Sequence, residues 1–296
     1  MATDTAPVET GERLDLRSHL AAAEARLAAA GVSSPRQDAI ELAAHVLRIE
    51  RGKVGLARGF DARQAERYAE VVARRAAREP LQHVTGVAGF RRLELAVGPG
   101  VFVPRPETEV LVEWCLQALR HCDRPLVADL CAGSGAIALS IVDEHAGARV
   151  HAVEREPLAY SWLRRNVAGE ERVRLHLADA ADALHGLDGL FDLVVSNPPY
   201  VGDDERDRVD PEVRDHDPGS ALWAGGEGLD VLRVVERTGR RLLRPGGVLA
   251  AEHSDGQGDT APALFPADHW TDVADHRDLT GRPRFVTAVR RVEAAA

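Results

Sequence analysis

The stretch PLVADLCAGSGAIALS, Pro125 to Ser140, decides the fold. Its apolar start reads as a buried strand, Gly133 and Gly135 turn the chain, and Ala136 begins a good helix former. A glycine loop there lets a ligand approach the backbone, and the helix N-terminus offers free N–H groups. The alternation repeats beyond it. ARVHAVE (148–154) reads as a second strand followed by a helix over 157–168, RVRLHLA (172–178) as a third strand and FDLVVS (191–196) as a fourth. A helix over 227–243, the strand GGVLAAEH (246–253) and the β segment RFVTAVRR (284–291) complete the series. Such a pattern predicts an α/β fold: a parallel sheet with helices on both faces, binding ligands outside the carboxyl ends of its strands.

Before this region the signals are helical. Residues 1–11 are small and polar and read as a loose tail. ERLDLRSHLAAAEARLAAAG (12–31) is a helix former closed by Gly31. In SSPRQDAIELAAHVL, Ser34 is placed to cap, Pro35 to open the helix and Gln37 to complete a capping box; Asp61 and Gln64 repeat the device. Residues 12–79 are therefore expected to form a small helical domain, with no catalytic group apparent, serving as a lid or docking module. Residues 80–105, rich in glycine and β-formers, are expected to be a connector with a hairpin near 88–104, and 106–292 the sheet domain, opened by a helix from Pro106 to about His121.

Composition narrows the function. The chain has 296 residues, 45% apolar and 28% charged, an ordinary globular balance with enough length for a sizeable core. Its formal charge of −10 disfavours a protein that gains its affinity from a nucleic-acid backbone. Cys115, Cys122 and Cys131 show neither metal-ligand spacing nor a disulfide framework, so no metal is expected. No signal-peptide pattern and no membrane-length apolar run occur, and a cytoplasmic protein is expected.

The glycine loop needs a ligand. Gly133-Ser134-Gly135-Ala136-Ile137-Ala138 also fits the G-x-G-x-x-A dinucleotide fingerprint, which alone leaves nicotinamide binding open. Acids break the tie. Glu154, ending the second strand, suits the two hydroxyls of a ribose. Asp129 lies ahead of the glycines, where a cationic amino acid would welcome it. Asp179 ends the third strand, where it either caps a helix or accepts an adenine amino hydrogen. Ammonium, ribose and adenine together describe S-adenosylmethionine.

The fourth strand ends in Asn197-Pro198-Pro199-Tyr200. A planar nitrogen is a poor nucleophile because its lone pair is delocalised; two acceptors aimed at its hydrogens hold it and make the pair available. The Asn197 side-chain oxygen is one acceptor, and the Pro198 carbonyl, in a rigid proline pair, is the other. Tyr200 offers a flat face. Asn accepts without being a strong base, so catalysis would rest on orientation and differential hydrogen bonding.

PLQHVTG, GPGVFVPRPETE, DLCAGSGAIAL, VSNPPYV, DPEVRDHDP and LLRPGGVLAAEH occur here in the order seen in peptide chain release factor N5-glutamine methyltransferases, and the chain resembles that family from about residue 15 to 291. The resemblance implies a Rossmann-like class I methyltransferase sheet behind a helical N-terminal docking domain. It implies transfer of a methyl group from S-adenosylmethionine to the Gly-Gly-Gln glutamine of class-1 release factors. It assigns Asn197, Pro198, Pro199 and Tyr200 to the glutamine amide. Cys131, Ala132, Gly133, Ser134, Gly135, Glu154, Asp179 and Ala180 fall to the cofactor, with Phe102, Pro104, Arg105 and Thr108 near its methionine end. The sequence departs from the family pattern at Glu154, where Asp is commoner, at Cys131-Ala132, where Gly-Thr is usual, and at Ala180, where an aromatic is frequent. Adenine-N6 or guanine-N2 methyltransferases of nucleic acid share Asn-Pro-Pro-Tyr and are the alternative; the net charge weighs against them.

Overall fold

The computed structural model describes residues 14–292, and the expected tail at 1–11 lies outside them. The chain divides after Thr85 into two compact units.

The first unit holds helices α1 (Leu16–Ala29), α2 (Pro35–Leu47), α3 (Ala62–Ala76) and α4 (Leu81–Thr85). Asp15 caps α1 through the Arg17 and Ser18 N–H groups, and Asp61 with Gln64 forms a complete capping box on α3. The box expected at Ser34 is absent. Ser34 sits at φ −129°, ψ 58°, away from the extended backbone that capping side chains use, and makes no side-chain cap. Leu27, Leu42, Phe60, Tyr68 and Val71 form the core. Asp38 and Arg75 are buried beside it as an ion pair at 2.7 Å. Helix continues into the expected connector, where the Pro80 carbonyl accepts the Val84 N–H and opens α4.

The second unit begins with an antiparallel hairpin, β1 (Val87–Phe90) and β2 (Leu93–Ala96). The expected hairpin reached residue 104; it stops at 96. Gly98 passes the Trp162 ring so closely that an added Cβ would lie 2.6 Å from it, and the chain there packs Val97, Val101 and Val103 inward. Then follow α5 (Thr108–Leu119), β3 (Leu126–Leu130), α6 (Ala136–Glu144), β4 (Arg149–Glu154), α7 (Pro157–Asn166), β5 (Val173–Leu177), β6 (Phe191–Ser196), α8 (Pro211–His216), α9 (Asp230–Leu242), β7 (Leu243–Glu252), β8 (Trp270–Arg277) and β9 (Pro283–Arg290).

The last seven strands form one sheet in the order β5-β4-β3-β6-β7-β9-β8, parallel through β7 and antiparallel at β9 and β8. Successive strand residues face opposite ways, so Val127 of β3 packs with α5 and α6 while Ala128 and Leu130 pack with α9. Strand order reverses at β3, between β4 and β6. Parallel neighbours there end together: Leu130 pairs with both Val153 and Ser196, and Ser196 with Ala251. The residues just past these pairs, Cys131, Glu154, Asn197 and Glu252, therefore emerge along one edge of the sheet. That edge is where open α/β sheets hold ligands.

Candidate active site

A cavity of about 390 Å³ opens at this edge. Most of the expected residues line it: Phe102, Pro104, Arg105, Thr108, Cys131, Ala132, Gly133, Ser134, Glu154, Asp179, Ala180, Asn197, Pro199 and Tyr200. Asp129, Gly135 and Pro198 do not reach its wall.

The glycine loop has two different glycines. A Cβ added at Gly133 (φ 55°) would meet nothing within 4 Å, so this backbone faces open space. One added at Gly135 (φ 87°) would lie 2.7 Å from Leu163, so Gly135 serves the packing of α7 instead. Cys131 has φ 63°, a left-handed conformation that glycine adopts freely and cysteine does not. The Ala132 N–H bond to the Val153 carbonyl ties the adjoining residue down.

The acids behave unlike surface carboxylates. Glu154 accepts the Gly133 N–H at 2.9 Å on one oxygen and the Glu156 N–H at 2.8 Å on the other, leaving further lone pairs toward the cavity. Burial holds its carboxyl above the usual range against those bonds. Asp129 is fully buried behind the wall. One of its oxygens accepts the Ala138 N–H at 3.1 Å; the other has no partner among the described residues. Burial pushes its carboxyl up to about 8. Asp179 is half exposed; one oxygen accepts the Ala181 N–H at 2.9 Å and the other lies 3.6 Å from Arg155.

On the opposite wall, Asn197 donates through Nδ2 to the Thr108 hydroxyl at 3.1 Å. Its Oδ1 and the Pro198 carbonyl take no hydrogen bond among the described residues. The Tyr200 phenol donates to Glu252 at 3.1 Å, and burial raises its pKa beyond the usual phenol range. Gln257 fixes the exit from this turn, donating to the carbonyls of Tyr200 and Glu227. Gly228 is required where it stands, because a Cβ there would lie 2.2 Å from the Tyr200 carbonyl. Arg105 lies over the Phe102 ring at 4.7 Å and binds Asp217 at 2.5 Å, joining the Pro104–Glu107 turn to the segment after α8.

Sequence reasoning gave Glu252 no site role, although it holds the wall residues Thr108 and Tyr200 from behind. A signal was present: an acid ends the otherwise apolar strand GGVLAAEH. Asp217, which anchors Arg105, was given no site role either, although it lies within the motif DPEVRDHDP.

The pocket fits S-adenosylmethionine in three respects. Backbone at Gly133 faces open space, Glu154 keeps acceptor capacity beside it, and a buried carboxylate oxygen of Asp129 lacks a partner. Residues 18–86 match the PrmC N-terminal domain family, and residues 93–216 the methyltransferase small domain family. The release factor glutamine methyltransferase of Streptomyces coelicolor is 55% identical over 278 residues, covering 92% of this chain and 97% of that protein. The enzyme of the same name from Mycolicibacterium smegmatis is 48% identical, covering 93% and 98%. A 4-amino-L-phenylalanine/4-methylamino-L-phenylalanine methyltransferase from Streptomyces pristinaespiralis is 40% identical, covering 83% and 85%. The fold and these relatives imply use of S-adenosylmethionine, and the chain belongs to the release factor glutamine methyltransferase family.

Proposed function

We propose that this protein transfers a methyl group from S-adenosylmethionine to the side-chain amide nitrogen of the Gly-Gly-Gln glutamine in class-1 release factors, in the cytoplasm and without a metal. The observation that carries the reading is one cavity with two walls: Gly133 and Glu154 on one, Asn197, Pro199 and Tyr200 on the other. When bound, the cofactor supplies a methyl group made electrophilic by its sulfonium. Glu154 would hold the ribose hydroxyls, Asp129 would balance the ammonium from behind the wall, and Asp179 with the Ala180 backbone would meet the adenine. Asn197 Oδ1 would accept one hydrogen of the glutamine amide at the cavity wall, and the Pro198 carbonyl, set just behind it between the wall residues Asn197 and Pro199, would accept the other once the amide is seated, turning its lone pair toward the methyl group. Tyr200 stacks against the amide plane. Catalysis is then chiefly orientation. The helical unit is the docking module for the release factor. Among the described residues no helix is long and apolar enough to cross a membrane.

A planar nitrogen with two hydrogens also describes an aryl amine, the substrate class in the name of the Streptomyces pristinaespiralis relative. The test offers labelled S-adenosylmethionine with a release factor, with 4-amino-L-phenylalanine and with RNA or DNA, followed by mass spectrometry of the Gly-Gly-Gln peptide. One methyl group on that glutamine is expected. Label only on the amino acid or only on nucleic acid would overturn the reading. Asn197→Ala should lower transfer by at least about 100-fold, the scale of losing one fixed hydrogen-bonding group at a reacting centre, with cofactor affinity little changed.

A further inference from the structure

Four polar side chains run in a chain beside the cavity. Asn197 Nδ2 donates to Thr108 Oγ1 at 3.1 Å, Thr108 donates to Glu252 Oε2 at 2.7 Å, and the Tyr200 phenol donates to Glu252 Oε1 at 3.1 Å. Topology assembles them. Glu252 and Asn197 emerge from neighbouring strands, since Ala251 of β7 pairs with Ser196 of β6. Thr108 is the first residue of α5, which reaches the same edge from the turn at Pro104–Glu107. Glu252 is 1% exposed.

A threonine hydroxyl has one hydrogen, whereas an ionised carboxylate only accepts. With Glu252 ionised, the Thr108 hydrogen is committed to it, and Thr108 Oγ1 can only accept from Asn197. The amide nitrogen must then face Thr108, which leaves Asn197 Oδ1 for the cavity. A proton on Glu252 Oε2 would reverse every step: Thr108 would accept from the acid and donate to Asn197, which would turn its oxygen inward and its NH2 to the substrate. An NH2 group cannot accept the hydrogens of an amide.

We propose that Glu252 is a positioning residue whose carboxylate, acting through Thr108, fixes which end of the Asn197 amide faces the substrate nitrogen. The proposal rests on the reading that Asn197 holds the acceptor amide. Besides Thr108 and Tyr200, the groups facing Glu252 are Arg284 of β9, itself paired with Asp278, and Glu107 at the start of α5. Arg284 favours the ionised acid and Glu107 opposes it; burial is the largest influence and holds the carboxyl at about 7. Transfer should therefore weaken as pH falls through this range.

The chain offers a clean probe, because it contains only two asparagines, Asn166 and Asn197. Protein labelled with [15N]asparagine shows two side-chain amides. Asn166 bonds only to backbone, at Ala96 and Ser134, and serves as an internal control. Glu252→Leu should displace the Asn197 resonances and lower kcat roughly tenfold or more, the scale of a charge-assisted hydrogen bond, with little change in KM for the cofactor. In a Thr108→Val background the same change should do neither, because the connection is already cut. Asn197 resonances at their wild-type position in Glu252→Leu, or a full additional loss on top of Thr108→Val, would overturn the proposal. If Glu252→Leu displaces Asn166 as well, the wild-type pH titration decides. Asn197 should move through one titration that Thr108→Val abolishes and Thr108→Ser keeps; an Asn197 that does not move overturns the proposal. The amide resonances need no acceptor, so a wild-type protein inactive on release factors would refute the proposed substrate and still leave this test to be read.

Discussion

The helical unit and the ligand edge of the sheet both bury charged groups, but in opposite ways. In the first, Asp38 and Arg75 meet at 2.7 Å with almost no exposure, so each charge is answered by the other. In the second, Asp129, Glu154 and Glu252 are buried at the sheet edge, and none has a cationic partner within 4 Å among the described residues. Burial raises all three above the usual carboxylate range. A fold that needs only stability matches its buried charges. Glu154 in the cavity wall, with Asp129 and Glu252 buried behind it, is a cost to the free protein, and a cationic, hydroxyl-rich ligand would relieve it.

The comparison breaks most sharply at the pair. Arg75→Met leaves Asp38 buried and alone, which should cost about 3–5 kcal/mol. The four tryptophans, Trp114, Trp162, Trp223 and Trp270, all lie in the second unit, so their fluorescence follows that unit alone. Chemical denaturation should show the helical signal in the far ultraviolet lost early and the fluorescence transition unmoved. A loss below about 1 kcal/mol would mean that the pair contributes little and the contrast between the units is false.

Asp129→Asn tests the other side. The free protein already holds this carboxyl largely protonated at neutral pH, so its stability there should change little. The sign follows from a folded pKa raised above its unfolded value. The acid's contribution to stability is fully present below the ordinary carboxylate range and is lost as pH rises through about 8. Binding a cationic amino-acid group favours the ionised form, so affinity for S-adenosylmethionine should rise with pH over about pH 5.5–7.5, below the titration of the ligand's own ammonium. The asparagine variant should lose about 10–100-fold in affinity, as for a charge-assisted contact, and lose the slope as well. Calorimetry at several pH values measures both. An unchanged slope would place the coupled proton on another group.

These contrasts also mark how far the sequence could be read. Strand-loop-helix patterning announced β3, α6, β4 and β6, because each is bounded by glycine, proline or an abrupt change of polarity. β8 escaped. WTDVADHR is interrupted by Asp272 and Asp275, Asp272 sits at φ 52° and the register against β9 slips, as suits an edge strand protected from pairing further. At the site, residues attached to local signatures were legible: the glycine loop, Glu154 and the turn after β6. Glu252 and Asp217 act through partners distant in sequence, Thr108 and Tyr200 for the one and Arg105 for the other. No local pattern reports such a meeting; only the register of parallel strands does.

The smallest expected effect concerns backbone strain. In the helical unit the positive-φ residues Arg48 and Arg78 follow helix ends, where chains commonly turn left-handed. Cys131 is different: it holds φ 63° directly after a core strand, at the lip of the cavity. A left-handed conformation costs an ordinary residue about 1–2 kcal/mol. Glycine removes that cost but adds about 0.5–1 kcal/mol of lost chain entropy and gives up the packing of the thiol. Cys131→Gly should therefore stabilise the free second unit by less than about 1 kcal/mol, seen as a small upward shift of the tryptophan transition. Cofactor affinity should stay close to that of the parent, because the Ala132 N–H bond to Val153 continues to set the loop. A destabilised variant would mean that the thiol's packing outweighs the strain, and that the bulkier loop is a supported feature of this chain.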